Sequence, residues 1–375
     1  MGTQEVSQAA SWTTKQPGRG IFTVGVTMAI ALLISTIFEM DTFIGIFTVF
    51  AVSMVPIEVI MGLGWGNVYP QTGDVPQPWR GILRMLFMAI IGTLTGFLVL
   101  KWIGNGVAQP LTNVYIIATT VLTFWAVLAF QMWPFQNMSP PARGFLTLIS
   151  CFVIIWFAMG LIDFRMLSYP TGVNPSPMPP VPFYEKGGPL AIFEAIAPKG
   201  PIGWEIALAF WIWMLIFLWV FIMLNMWPFC KIPSLMKQPV LGITLVAVCA
   251  ALGYMATFLG VVVMKIEPIR FMLDGISFLF GALLIIVCFE MWPGRNLTGL
   301  AGGFLNIALS IILAIIGFYG IEAFCQWQFG AAMKYPANWM AMANVMLSVT
   351  FPIWAAYTGF LECWPLPSMP APDRK

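Results

Sequence analysis

The chain has 375 residues, of which 60% are hydrophobic and 9% are charged, and its formal net charge is +2. Soluble domains carry about 25% charged residues, so this composition excludes a soluble globular fold and predicts a protein surrounded mainly by lipid. Histidine is absent, which removes the commonest ligand for zinc and membrane haem and the commonest general base. No cluster of basic residues indicates a nucleic-acid partner.

The cysteines do not form a recognisable site either. The six cysteines are scattered singly and no CxxC pair occurs, so the sequence predicts neither a zinc or iron–sulfur site nor a disulfide framework. A Walker loop and a nucleophile elbow are also missing from the sequence. We therefore expect no cofactor and no metal, and the sequence favours a protein that is not an enzyme.

Long apolar runs define the fold class. About 20 consecutive apolar residues cross a bilayer, and ten such runs predict an all-α, polytopic integral membrane protein with a single transmembrane domain over 21–362. A polar segment at 1–20, which does not resemble a cleaved signal peptide, precedes this domain, and a tail follows at 363–375. The predicted helices cover residues 21–38, 43–64, 80–100, 112–133, 143–162, 204–226, 240–264, 271–291, 299–323 and 338–362.

A four-residue motif closes most of the even-numbered helices. It reads QMWP at 131–134, NMWP at 225–228, EMWP at 290–293 and ECWP at 362–365, with a weaker copy, LGWG, at 63–66. The recurrence of this motif along the chain indicates an internal repeat. The sequence therefore predicts five tandem helical-hairpin repeats, at about 21–65, 80–133, 143–227, 240–292 and 299–364.

The chemistry of Trp-Pro explains its place at a helix end. Tryptophan prefers the level of the lipid headgroups, where its ring is buried and its N–H stays hydrated. Proline lacks an N–H and collides with the preceding helical turn, so it terminates a helix. The motif is thus expected to fix both the depth and the exit of each even-numbered helix.

One connection is long. Residues 163–203 contain nine prolines, which prevent regular helix and favour a stiff, extended backbone. This external loop is either a lid over an opening or an ordinary surface loop.

The distribution of basic residues predicts the orientation. Ten lysines and arginines fall on the side of the termini and the Trp-Pro links, and seven fall on the other side. Cytoplasmic loops carry the excess of basic residues. We therefore expect a multi-pass protein of the cell inner membrane whose N and C termini are cytoplasmic.

Glu58 is the first candidate for a functional residue. It lies seven residues before Trp65, which places its carboxyl about 10 Å deeper than the aromatic belt, and Pro56 beside it is expected to kink the helix. Ionisable groups at this depth are costly and usually functional. The sequence predicts that Glu58 binds substrate or a coupling ion, and the alternative is a structural hydrogen bond made by a protonated carboxyl.

Four further polar residues complete the candidate site for a substrate or coupling ion. Asn306 and Asn344 lie inside predicted helices, where they can contribute to a polar site or to hydrogen bonds between helices. Glu290 and Glu362 each precede a motif tryptophan by two residues. They either line an opening on the cytoplasmic side, where the Trp-Pro links lie, or anchor a helix end at the interface.

Ten spans, a deep carboxyl and the absence of enzyme motifs favour a permease or secondary transporter for a small solute. A haem-free membrane anchor subunit of a redox or other enzyme complex is the alternative, and a membrane enzyme acting on an apolar substrate is a third hypothesis. The expected partners are the lipid bilayer, a small solute and, in the second case, other subunits or a homo-oligomer.

Overall fold

The computed structural model describes residues 12–167, 181–333 and 337–367. Most of the tail predicted at 363–375 and the start of the segment at 1–20 lie outside these ranges. Ten helices within them are long and apolar enough to cross a membrane. They are α1 (Gly18–Ser35), α2 (Met40–Gly64), α3 (Trp79–Trp102), α4 (Pro110–Ala129), α5 (Pro140–Met159), α6 (Trp204–Met223), α7 (Val240–Val263), α8 (Pro268–Cys288), α9 (Leu300–Ala332) and α10 (Ala337–Phe360).

The prediction of an all-α, multi-pass membrane protein is confirmed by these helices, because their length and hydropathy suit a bilayer. The predicted and observed helices agree in number and order. The largest difference is α9, which continues to Ala332, nine residues past its predicted end at 323. We call the side of the bundle that carries the Trp-Pro links the motif side, and the side that carries residues 163–203 the loop side.

The helices form an inner and an outer set. In the five even-numbered helices, 50–78% of the residues in the most apolar window are buried, whereas in the five odd-numbered helices the share is 28–39%. The outer helices therefore expose one apolar face to lipid, and the inner helices form the core of the bundle.

Contacts between helices follow a regular order. The inner helices contact one another as a closed ring, with α2 against α4, α4 against α6, α6 against α8, α8 against α10, and α10 against α2. Each of α3, α5, α7 and α9 packs mainly on the inner helix that precedes it, and α1 packs on α10. The main contacts of α3, α5, α7 and α9 thus join helices across the motif-side links, which differs from the pairing expected within each predicted hairpin.

The ends of the inner helices share one backbone geometry. Two consecutive residues adopt positive φ at each of the five ends: Gly66 and Asn67, Gln131 and Met132, Asn225 and Met226, Glu290 and Met291, and Glu362 and Cys363. Left-handed residues commonly terminate helices by turning the chain away from the axis. The four Trp-Pro peptide bonds that follow are cis.

This geometry corrects the alignment of the weaker motif copy. On α2 the left-handed pair is Gly66 and Asn67, so the counterpart of the motif lies about three residues after the copy expected at 63–66. Trp65 instead corresponds to Phe130, because each backbone N–H donates to a carbonyl five residues earlier. Accordingly Trp65 is buried, at 5% exposure, whereas Trp133 is 47% exposed.

Each outer helix begins on the end of an inner helix. A glycine near the start of each outer helix makes the close approach possible, and at Gly144 an added methyl group would overlap the Trp65 ring. Four of these starts also supply a side chain that donates to the carbonyl of the last inner-helix residue. The pairs are Gln16 with Cys288 (3.2 Å), Gln77 with Phe360 (2.9 Å), Arg143 with Gly64 (3.0 Å) and Gln238 with Ala129 (2.7 Å).

On the loop side, the described part of the long connection forms two small sheets. Strand β1 (Ile162–Asp163) pairs in parallel with β4 (Ile202–Gly203), and β2 (Met166–Leu167) pairs antiparallel with β3 (Val181–Pro182). The Tyr184 hydroxyl accepts a hydrogen bond from the Leu111 backbone N–H at 3.1 Å, which ties this connection to the start of α4. Burial raises the pKa of Tyr184.

We expect Gln77→Leu to lower the free energy of unfolding by about 1–3 kcal/mol, because it leaves the Phe360 carbonyl and the Gly81 N–H without the partners they have at 2.9 Å and 3.2 Å. Unfolding of the purified protein in detergent, followed by circular dichroism, measures the change. The control is Gln71→Leu at an exposed position of the same link. Equal free energies of unfolding for the two variants would show that the Gln77 contact does not stabilise the fold.

Candidate functional site

A cavity of about 90 Å³ lies inside the ring of inner helices. Side chains from all five inner helices line it, and no described residue of an outer helix does. The lining residues are Val52 and Val55 of α2; Ile117, Thr120, Val121 and Phe124 of α4; Ile212, Leu215 and Trp219 of α6; Met272, Ile276, Leu279 and Leu283 of α8; and Met340, Ala343, Asn344, Leu347, Ser348 and Phe351 of α10. We call it the axial cavity.

The lining is layered. Each inner helix contributes one residue to an upper layer (Val52, Ile117, Ile212, Ile276 and Ser348) and one residue to a lower layer (Val55, Thr120, Leu215, Leu279 and Phe351). The two layers are three residues apart in every helix, which is the spacing that places two side chains on one helix face. The same face of each inner helix therefore points at the axis of the ring.

Aromatic rings close the axial cavity towards the motif side. The Phe124 ring lies 5.7 Å from the Trp219 ring and 5.7 Å from the Phe351 ring, both in edge-to-face arrangements. These distances are typical of favourable aromatic pairs. Phe124, Trp219 and Phe351 thus form a packed floor, which we call the aromatic floor.

The polar groups of the lining are already hydrogen-bonded. Ser348 donates to the Asn344 amide oxygen at 3.0 Å, and the Asn344 amide nitrogen donates to the Thr48 hydroxyl at 2.7 Å. Thr48 in turn donates to the Phe43 carbonyl, and Thr120 donates to the Ile116 carbonyl. Since these groups satisfy one another, the axial cavity presents a mainly apolar wall.

Glu58 is buried within α2, at 2% exposure, but it is not among the residues that line the axial cavity. It follows Val55 of the lower layer by three residues. Neither carboxyl oxygen has a hydrogen-bond partner in the described part of the chain. An unpaired carboxyl in the interior is costly, so Glu58 is kept as a candidate functional residue.

The remaining predicted site residues bond to other groups, and none of them bonds to the Glu58 carboxyl within the described part of the chain. Asn344 lines the axial cavity, whereas Asn306 bonds to the Gly294 N–H and the Met291 carbonyl, both at 3.2 Å, near the motif side. Glu290 pairs with Arg295 at 2.8 Å, and Glu362 pairs with Arg80 at 2.9 Å. The five candidates do not form a single site.

A second cavity, of about 280 Å³, lies at the loop-side ends of the inner helices. We call it the vestibule. Residues of all five inner helices line it, together with residues that lead into α4 and one residue of the long connection, and Met340 lines the axial cavity as well. The lining residues are Asp41, Ile44, Gly45, Ala108, Gln109, Pro110, Asn113, Val114, Phe183, Trp204, Ile269, Ala337 and Met340.

The long connection contributes to the vestibule through Phe183, whose ring lies 5.4 Å from the Tyr184 ring and 6.3 Å from the Trp204 ring. Elsewhere in the connection, Arg165 hydrogen-bonds Asp163 and so lowers the pKa of that carboxyl. The described part of the connection thus packs at the loop-side opening. Residues 168–180, which hold several of its prolines, lie outside the described ranges.

Reasoning from the sequence missed both cavities, because their lining is mostly ordinary apolar residues. A signal was nevertheless present in the motif. Counting back 12 residues from Met132, Met291 and Cys363 gives Thr120, Leu279 and Phe351, all in the lower layer, whereas the same count from Met226 gives Met214, the neighbour of the lower-layer residue Leu215. In the copy at 63–66 the residue before the tryptophan is Gly64, and the same count from it gives Val52 of the upper layer, so the shifted alignment placed α2 one layer away from these three helices.

No group of three or more cysteine, aspartate or glutamate side chains that can hold a metal ion occurs within the described ranges. No protein-family model matches the chain, and searches of curated proteins and of solved structures find no significant match. The function must therefore be argued from the site itself.

Proposed function

We propose that the chain is a membrane permease that moves a small, uncharged solute along the axis of the inner helices. The observation that carries this proposal is the axial cavity, because all five inner helices contribute to its wall and no described outer-helix residue does. A space shared by every inner helix lies in the core of the bundle, as a conduit through it requires. The vestibule and the axial cavity share one lining residue, Met340, so the two spaces adjoin each other along the ring of inner helices.

The chemistry of the wall supports an uncharged solute. A charged group in a membrane interior is expensive unless the wall supplies partners for it. Here the polar side chains Ser348, Asn344 and Thr120 already bond to protein groups. Passage also requires the aromatic floor to open, since the Phe124 ring contacts both the Trp219 ring and the Phe351 ring.

The prediction of an internal repeat belongs to the same proposal. The shared left-handed pair at the inner-helix ends and the equal spacing of the two cavity layers both support five related units around one axis. The contacts between helices favour a unit made of an inner helix and the outer helix after it, with α10 and α1 as the fifth pair. All five inner helices then run in the same direction, unlike the inverted repeats of many transporters.

We expect the purified protein to raise the permeability of proteoliposomes to at least one member of a panel of urea, glycerol and methylamine. Val55→Trp adds a large ring to the lower layer of the axial cavity, so it should reduce the flux by about tenfold or more. Phe124→Ala, which removes part of the aromatic floor, should increase it. Stopped-flow light scattering measures the flux through the unmodified protein and through each of the two variants.

The control is Leu94→Trp, because Leu94 is 58% exposed on the outer helix α3. Equal flux in Val55→Trp and Leu94→Trp would contradict a path through the axial cavity. No flux for any solute, together with purification as part of a larger complex, would instead favour the anchor-subunit hypothesis.

Glu58 is proposed to couple transport to protons or cations, because its unpaired carboxyl lies three residues from the lower layer. If so, Glu58→Gln abolishes accumulation of solute against a gradient while leaving downhill exchange intact. Uptake into vesicles with and without an imposed proton gradient separates the two activities. Unchanged accumulation would remove Glu58 from the mechanism.

The proposed orientation, in the inner membrane with the motif side in the cytoplasm, can be tested on the native chain. Cys230 on the motif side is exposed, and the other five cysteines are buried. A membrane-impermeant maleimide should therefore label inverted membrane vesicles and spare intact spheroplasts. Loss of the label in Cys230→Ser is the control, and labelling of spheroplasts would reverse the assigned orientation.

A further inference from the structure

A cavity of about 450 Å³ opens on the motif side, between the end of α6, the link after α8 and the start of α9. We call it the basic cavity, because Lys231 and Arg295 line it and no aspartate or glutamate is among its described lining residues. Lys231 is exposed and belongs to none of the ion pairs of the described chain. Arg295 pairs with Glu290 through a single nitrogen, Nη1. The basic cavity therefore presents a net positive charge that a ligand can reach.

A missing side chain accounts for the place of the basic cavity. In three outer helices a glutamine stands four residues before the glycine that meets an inner helix, and its amide donates to the last carbonyl of that inner helix. These glutamines are Gln16, Gln77 and Gln238. In α9 the same position is Gly299, four residues before Gly303, where an added methyl group would overlap the Met223 carbonyl oxygen at the end of α6. The junction of α6 and α9 thus leaves a gap where three other junctions have a glutamine.

The basic cavity lies at the membrane interface and continues into an apolar stripe. Trp227, which lines it, is partly exposed, and tryptophan prefers the level of the lipid headgroups. Leu300 also lines the cavity, and Phe304, Ile311 and Ile315 follow it on one face of α9, where all three are exposed. A cationic opening is therefore joined to an apolar surface that lipid chains can cover.

We propose that the basic cavity binds the phosphate of an anionic phospholipid from the motif-side leaflet. Lys231 and Arg295 would pair with the phosphate, and the acyl chains would lie along the stripe on α9. The first turn of α9, which no described side chain caps, adds backbone N–H donors to these two cations. Basic pockets between membrane helices bind anionic headgroups in this way. The inference does not rest on the proposed permease, because the lipid is not the solute and its binding is measured without flux.

Cys230 reports on binding in the basic cavity, because it lines the cavity and is exposed while the other five cysteines are buried. The experiment measures the rate at which N-ethylmaleimide, a neutral reagent, modifies Cys230 in the full chain in dodecyl maltoside. Dioleoyl phosphatidylglycerol should slow the reaction saturably. Dioleoyl phosphatidylcholine has no net charge, so the same protection should need at least about a threefold higher concentration. Inorganic phosphate should give no protection, since it has no acyl chains.

Variants locate the site. Lys231→Gln should raise the phosphatidylglycerol concentration that gives half-protection about threefold to tenfold, and Arg295→Gln tests the second cation in the same way. Lys237 is exposed in the same link but does not line the cavity, so Lys237→Gln should leave this concentration unchanged. Each variant is compared with its own rate without lipid, because a substitution near the thiol also changes its reactivity.

The proposal is overturned if phosphatidylglycerol gives no protection, or if the two lipids protect equally. Protection by inorganic phosphate as strong as that by phosphatidylglycerol would assign the basic cavity to free phosphate instead. Equal half-protecting concentrations for Lys231→Gln and Lys237→Gln would show that the lipid binds elsewhere on the motif side.

Discussion

Lipid offers no hydrogen-bond partner to the end of a helix, and this constraint organises the bundle. The last backbone carbonyls of a helix have no partner within it, and inside a membrane each must find one in the protein. Here the carbonyl of the last residue in α2, α4, α8 and α10 accepts a hydrogen bond from a side chain at the start of an outer helix. The outer helix thereby becomes the cap of an inner one, and a glycine allows the two backbones to meet.

The same contacts account for the axial cavity. Four of the five outer helices pack along one inner helix and cap the end of another, as α5 packs on α4 and caps α2. These bridges hold the inner helices in a closed ring. Five helices around an axis leave a space that their side chains must fill, and residues as small as Val52, Ser348 and Ala343 at that axis fill it incompletely. The apolar wall follows from burial, because polar groups in a core pair with one another, as Asn344 does with Thr48.

Several features could be predicted without the structure because they depend on local chemistry. Ten apolar runs imply ten membrane helices, and each helix was found close to its predicted place. Pairing between helices was harder, since Gln16 reaches Cys288 across 272 residues and nothing local indicates that contact. The predicted site residues were also found in different places, because Glu290 and Glu362 belong to surface ion pairs whereas Asn344 lines the axial cavity.

The amino-acid sequence by itself determined that this is a multi-pass helical membrane protein, since the length and hydropathy of a segment decide whether it can cross a bilayer. Tertiary structure alone decided which helices are inner, which face of each meets the axis, and which polar groups remain unpaired. Apolar residues cover lipid-facing and core-facing surfaces alike, so hydropathy does not distinguish them. Only the packing of distant segments, such as the start of α1 on the end of α8, makes that distinction.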